Sequence, residues 1–218
     1  MKYFLSLYMV FSFIFAANGE EGEIGFRYGF LSRPTEDSKN ISVLSDSSAI
    51  NTGDFLRINI GYLTATNICV IYQSAEGEYL LLKNREAATS ETVGSLPDTS
   101  YFTAFNWGDM GPPPGIETFY FINSISPMKA LTSLLGRYEK APPKGQIKLA
   151  SLIQDKIDAL NPDVHDDLNS IVSRLDKPVA GGVSFRGDDD EDLKDLSVTH
   201  ECNGTGGIAF QKIVLIHQ

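Results

Sequence analysis

Three groups of residues have side chains suited to chemistry. The first is an acidic run, Asp188, Asp189, Asp190, Glu191 and Asp192, with Asp195 close by. Alternate carboxylates at Asp188, Asp190 and Asp192 are the hard oxygen ligands that Ca²⁺ prefers. The helix-loop-helix calcium pattern fails, because Leu193 stands where its glycine belongs and Thr199 where its bidentate glutamate belongs. A solvated acidic loop is the plainer reading, with Ca²⁺ as the cofactor to test. The second group is aromatic: Tyr101, Phe102, Phe105 and Trp107, leading into a proline- and glycine-rich loop that ends at Gly115. Exposed aromatic rings on a stiff loop make good anchors for a partner. The competing reading is a strand over 101–105 with Trp107 lidding the core.

The third group is His200-Glu201-Cys202, where a histidine and a cysteine lie together. A catalytic thiol needs a base and an oxyanion site arranged in space, and adjacency in sequence supplies neither. Two cysteines and three scattered histidines also lack the close spacing of a zinc site. Cys69 and Cys202 are a candidate disulfide in an oxidising compartment. Cys69 sits within Ile68-Cys69-Val70-Ile71, so a buried free thiol is the alternative. No Gly-x-Ser-x-Gly elbow or phosphate-binding Gly-x-x-x-x-Gly-Lys-Ser/Thr loop occurs. Gly204-Thr205-Gly206-Gly207 precedes a strand and reads as a turn.

The compartment follows from the amino terminus. Lys2 precedes an apolar stretch from Tyr3 to Phe15, and Ala17-Asn18-Gly19 forms a small-residue exit. This pattern reads as a secretory signal peptide over residues 1–19, cut before Glu20. The stretch falls short of the roughly 20 apolar residues of a membrane span, so no stable span is expected after cleavage. The chain is expected to be exported, either periplasmic or fully secreted. Its formal charge of −10 argues against nucleic acid and anionic lipid as partners. A protein partner in the cell envelope fits better.

The elements that position these residues are mainly strands. Residues 20–48 form a polar, glycine-rich lead-in. One short strand is expected over Ile24–Phe30, with Phe26, Tyr28 and Phe30 on one side, and another begins at Val43-Leu44. Leu56, Ile58 and Ile60 alternate with Arg57 and Asn59, as in a half-buried strand. Asn67 to Gln73 is apolar on both faces and is expected to be central. The turn Ala75-Glu76-Gly77-Glu78 returns the chain through Tyr79-Leu80-Leu81-Leu82 as a hairpin. A polar loop over 83–99, a strand at Tyr101–Phe105, an irregular 106–115 and a strand at Glu117–Ser124 follow.

Ser126 and Pro127 suit the start of a helix, with Met128, Leu131, Leu134 and Leu135 on one face and Gly136 as its end. After a linker over 141–145, a helical hairpin is expected at about 146–175. Its stripes are Leu149, Leu152, Ile153, Ile157 and Leu160, then Val164, Leu168, Ile171, Val172 and Leu175. Short strands are expected at Val183–Phe185 and Leu196–Val198, and a closing strand over Ile208–Ile216. The expected fold is therefore mainly β, a β-sandwich-like core with added α-helices, with α+β as the alternative classification. Residues 49–218 make one β-rich domain carrying the hairpin insertion.

In order, Ile50, Gly53, Asp54, Ile58, Gly77, Leu80, Leu82, Asn84, Gly115, Glu117, Phe119, Ser126 and Pro127 form a pattern of glycine and strand punctuation. Over roughly Ala49 to Leu135 this resembles a bacterial domain-of-unknown-function family. The resemblance implies a β-rich module with no established activity, found appended to caspase-like peptidases or protein kinases, or exported alone. The implied role is a non-enzymatic accessory or protein-binding module. No attached enzyme domain is expected in this chain, and its helical hairpin and acidic run are expected to elaborate the family pattern. A calcium- or carbohydrate-contacting module and a hydrolase with a dispersed site are the alternatives.

Overall fold

The computed structural model describes residues 24–62, 66–86, 101–161, 200–204 and 206–218. Sheet A contains β1 (Ile24–Arg33), β2 (Ser42–Leu44), β4 (Phe55–Tyr62), β7 (Tyr101–Asp109) and β9 (His200–Gly204). Sheet B contains β3 (Ser48–Ile50), β5 (Asn67–Gln73), β6 (Tyr79–Arg85), β8 (Gly115–Ser124) and β10 (Ile208–His217) in the order β3-β10-β8-β5-β6. All pairings are antiparallel except β3 with β10. Two helices, α1 (Lys129–Glu139) and α2 (Pro143–Asp158), complete the described elements. The fold is mainly β with added helices, as the alternation of apolar residues requires.

The two sheets face each other across one apolar core. Phe26, Tyr28 and Phe30 of β1 and Leu56, Ile58 and Ile60 of β4 meet Ile68, Val70, Phe119, Phe121, Ile213 and Leu215 of sheet B. A second core covers the opposite face of sheet B. There Cys69, Ile71, Tyr79, Tyr120 and Ile122 pack against Leu131, Leu135 and Tyr138 of α1 and Leu149, Ile153 and Ile157 of α2. Sheet B is thus buried on both faces, which explains the unbroken apolar run from Ile68 to Ile71. A polar chain fastens α2 at the rim: Tyr120 donates to Gln73 Oε1 (2.9 Å), Gln73 Nε2 donates to the Tyr79 hydroxyl (2.9 Å), and Tyr79 donates to Gln154.

Several expectations need correction. Residues 24–33 are a central strand of sheet A, where β1 pairs with β4 on one side and with β2 and β9 in succession on the other. They belong to the core and are not a lead-in. Strand β6 runs on to Arg85 and β7 to Asp109, each beyond the strand end expected for it. Helix α1 starts after Met128 with no side-chain cap, so Ser126 does not cap it. It also continues through Gly136, because burial of Tyr138 against Tyr79 offsets the roughly 1 kcal/mol glycine penalty. Helix α2 begins at Pro143 inside the expected linker, with proline in its first turn. Its helical neighbour among the described residues is α1. The stripe from Val164 to Leu175, the expected strands at 183–185 and 196–198, and the signal-peptide residues lie outside the described residues.

The expected disulfide is also corrected: Cys69 and Cys202 are not joined to each other. Cys69 points into the helix-covered core and Cys202 into the core between the sheets, so they face different cores. Burial pushes the Cys69 thiol up to about 12, and the Cys202 thiol contacts the Phe210 carbonyl at 3.5 Å. Alkylation of the native protein is expected to leave Cys69 unmodified, since the thiolate is the nucleophile. Alkylation in denaturant without reductant is expected to add two groups by mass spectrometry. A chain that takes up none until a reductant is supplied would restore the disulfide.

Candidate functional site

Two polar assemblies stand out, one on the outer face of sheet A, where Arg33, Arg57 and Trp107 are half-buried, and one at an end of the sandwich core. Both depend on long-range pairing. On the outer face of sheet A, Arg33 of β1 lies opposite Phe55 of β4, and Leu31 lies opposite Arg57. Strand β7 completes this face through two bulges. Its register shifts between Asn59 and Ile58 and again between Ile58 and Leu56, so β7 holds one extra residue at each step. Bulges re-aim side chains that simple alternation would place elsewhere. Ala104 and Phe105 therefore both turn inward, while Thr103 and Trp107 turn outward. Gly108 permits this arrangement, because a Cβ there would meet the Phe105 ring at 2.2 Å.

Trp107 carries the Arg33 guanidinium on its ring, with Cζ 4.1 Å from the centroid. The Arg57 guanidinium lies 5.9 Å from the same ring, and Phe55 lies 5.8 Å from Arg33. Arg57 is fixed by its Nε donating to Asn59 Oδ1 (3.3 Å) and its Nη2 donating to Thr103 Oγ1 (3.2 Å). Arg33 differs: its Nε is buried and has no hydrogen-bond partner. Two cations thus flank one indole in a chain of net charge −10.

The second assembly centres on Glu117, which is 2 % exposed. Its Oε2 accepts from the Tyr72 hydroxyl (2.6 Å) and the Ala75 amide (3.1 Å), and its Oε1 faces His217 Nδ1 at 3.1 Å. His217 Nε2 in turn lies 3.0 Å from Thr52 Oγ1. Hydroxyl, imidazole and carboxylate therefore stand in the order of a hydrolase triad. The surroundings do not complete one. Thr52 also donates its hydroxyl to the Gln218 carbonyl at 3.0 Å. The amides of Thr52, Gly53 and Asp54 are committed to Gln218, Met110 and Asn51 carbonyls, so none is free to hold an oxyanion. The arrangement ties the β3–β4 and β5–β6 turns to β8 and β10. Gly115 assists, since Ala75 Cβ lies where its own Cβ would be.

The structure separates the aromatic candidates. Phe105 belongs to the core side, Trp107 to the outer face, and Tyr101 begins β7 opposite Gly61. Asp188, Asp190 and Asp192 lie outside the described residues, and among the described residues no group of three potential metal ligands occurs. His200 and Cys202 share β9, where the imidazole stacks on Tyr28 at 5.2 Å between ring centroids. The sequence reading passed over Arg33 and Arg57, whose partner Trp107 is distant in sequence. Glu117 enters the sequence pattern only as strand punctuation beside Gly115.

Burial lowers the His200 pKa below the ordinary histidine value, and a backbone hydrogen bond at Leu44 opposes the shift in part. A histidine depressed in the folded state binds fewer protons there than when unfolded. Its contribution to stability is therefore present above the unfolded value and is lost as pH falls through the folded one. The melting temperature is expected to drop on acidification from pH 7 to 5 more steeply for the wild type than for His200→Gln. Parallel curves would remove His200 from that account. Compared with known proteins, the chain matches no family model, no curated protein and no solved structure.

Proposed function

We propose that the protein is an exported, non-enzymatic accessory module that binds a protein partner in the cell envelope. Its binding surface is the outer face of sheet A around Trp107. The observation that carries this reading is the Arg33 guanidinium stacked on the Trp107 ring, with Arg57 on the same face. Tryptophan and arginine are the residues most enriched where a few side chains dominate an interface. Stacking also restrains a long side chain before any partner arrives, which lowers the entropy lost on binding. The signal-peptide pattern at residues 1–19 and the resemblance over roughly Ala49 to Leu135 support the same role.

The test is a crosslinked pull-down of the chain from Glu20 to Gln218 out of its own cell envelope, read by mass spectrometry. One saturable partner is expected, lost on Trp107→Ala. A partner retained equally by Trp107→Ala would move the surface elsewhere. Repeated capture of nothing, with working controls, would overturn the module reading.

A further inference from the structure

We infer that Arg33 is a receptor for a carboxylate, and that the partner presents an acidic segment to the outer face of sheet A. The inference rests on the binding-module reading and adds the chemistry of the ligand. Among the described residues, two other arginines on the outer face of sheet A have acceptors. Arg57 is anchored by Asn59 and Thr103, and Arg27 pairs with Glu201 at 3.3 Å. Arg33 contacts the Trp107 and Phe55 rings, and its buried Nε lacks an acceptor. A buried donor without an acceptor is unfavourable unless something supplies one.

The guanidinium is a planar fork of N–H groups matched to a planar carboxylate, and its stacking on the indole fixes that plane. Arg57, on the same ring, adds positive potential without a second open fork. A carboxylate can therefore be held by Arg33 edge-on beside the aromatic rings. Charge complementarity thus selects an acidic peptide, although the chain as a whole is acidic. Phosphate fits the same fork, so it is the rival anion that the titration must rule out.

Trp107 is the sole tryptophan, so its fluorescence reports on this site alone. The full chain is titrated with a pentaglutamate peptide, a neutral glutamine-containing peptide of equal length, and inorganic phosphate. Saturable change in emission is expected with the acidic peptide only. The midpoint is expected to weaken at least tenfold in Arg33→Gln and to recover in part in Arg33→Lys. A null response, an equal response to the neutral peptide, tighter saturation by phosphate, or an unaltered Arg33→Gln curve would each overturn the inference. Should Arg33→Gln fail to fold, the comparison of acidic with neutral peptide in the wild type decides. An empty pull-down beside a saturable peptide response would count against the module and leave the carboxylate site standing. A captured partner indifferent to Arg33→Gln would do the reverse.

Discussion

Replacing Glu117 by alanine is expected to destabilise the fold by about 3–5 kcal/mol, because it strips the acceptor from three donors at roughly 1–3 kcal/mol for each one left buried. The cause is what remains behind. His217 Nδ1 loses its acceptor where the pair is buried, and the Tyr72 hydroxyl and the Ala75 amide lose theirs at the part-buried margin. Burial and the neighbouring carboxylate both push the Tyr72 pKa up, so this phenol remains a proton donor across the working range. At roughly 2–4 °C per kcal/mol for a chain of this size, the melting temperature should fall by about 6–20 °C. Tyr72→Phe removes a single donor to a charged acceptor and should cost about 1.5–3 kcal/mol. Thermal and urea unfolding of both variants checks this. If Glu117→Ala melts with the wild type, the network does not hold the turns.

Phe121→Ala should have a comparable effect through a different mechanism. Phe121 is fully buried and lies 5.1 Å from Tyr28, 5.5 Å from Phe30 and 6.1 Å from Phe26, ring centre to ring centre. Truncation loses the transfer free energy of the ring and leaves a cavity that two pleated sheets cannot close, for about 3–5 kcal/mol in all. Ile116→Ala, on the same strand but 62 % exposed, should stay within about 0.5 kcal/mol. Equal losses at the two positions would contradict the placement of the Phe121 ring in the core between the sheets.

The sequence made the strand core legible wherever side chains obey simple alternation. Leu56, Ile58 and Ile60 do so, and Asn67–Gln73 announced burial on both faces. It was illegible where a local insertion changes the phase. The β7 bulges reverse the alternation after Thr103, so Phe105 and Trp107 could not be assigned to opposite faces from spacing. The Glu117–His217 contact spans 100 residues, and neither residue has a local feature that names the other. Cys69 and Cys202 show the same limit. Composition permits a bond between them, and only the sheet placement sends their thiols into separate cores. Sequence spacing located the hydrophobic framework, while the polar sites depended on register.

The placement of β10 has a consequence for the order in which the protein can be built. Strand β10 lies between β3 and β8, and β9, just before it, closes one edge of β1. A nascent chain that has reached only residue 199 holds β3 and β8 with no strand between them, and β1 with half of one edge open. Neither sheet can be completed until β9 and β10 have been made, and the pairings that finish them span most of the residues between β1 and β10. Such distant pairings are slow because their loops must close before the contacts form. Assembly of both sheets therefore waits on β9 and β10, whatever has folded before them.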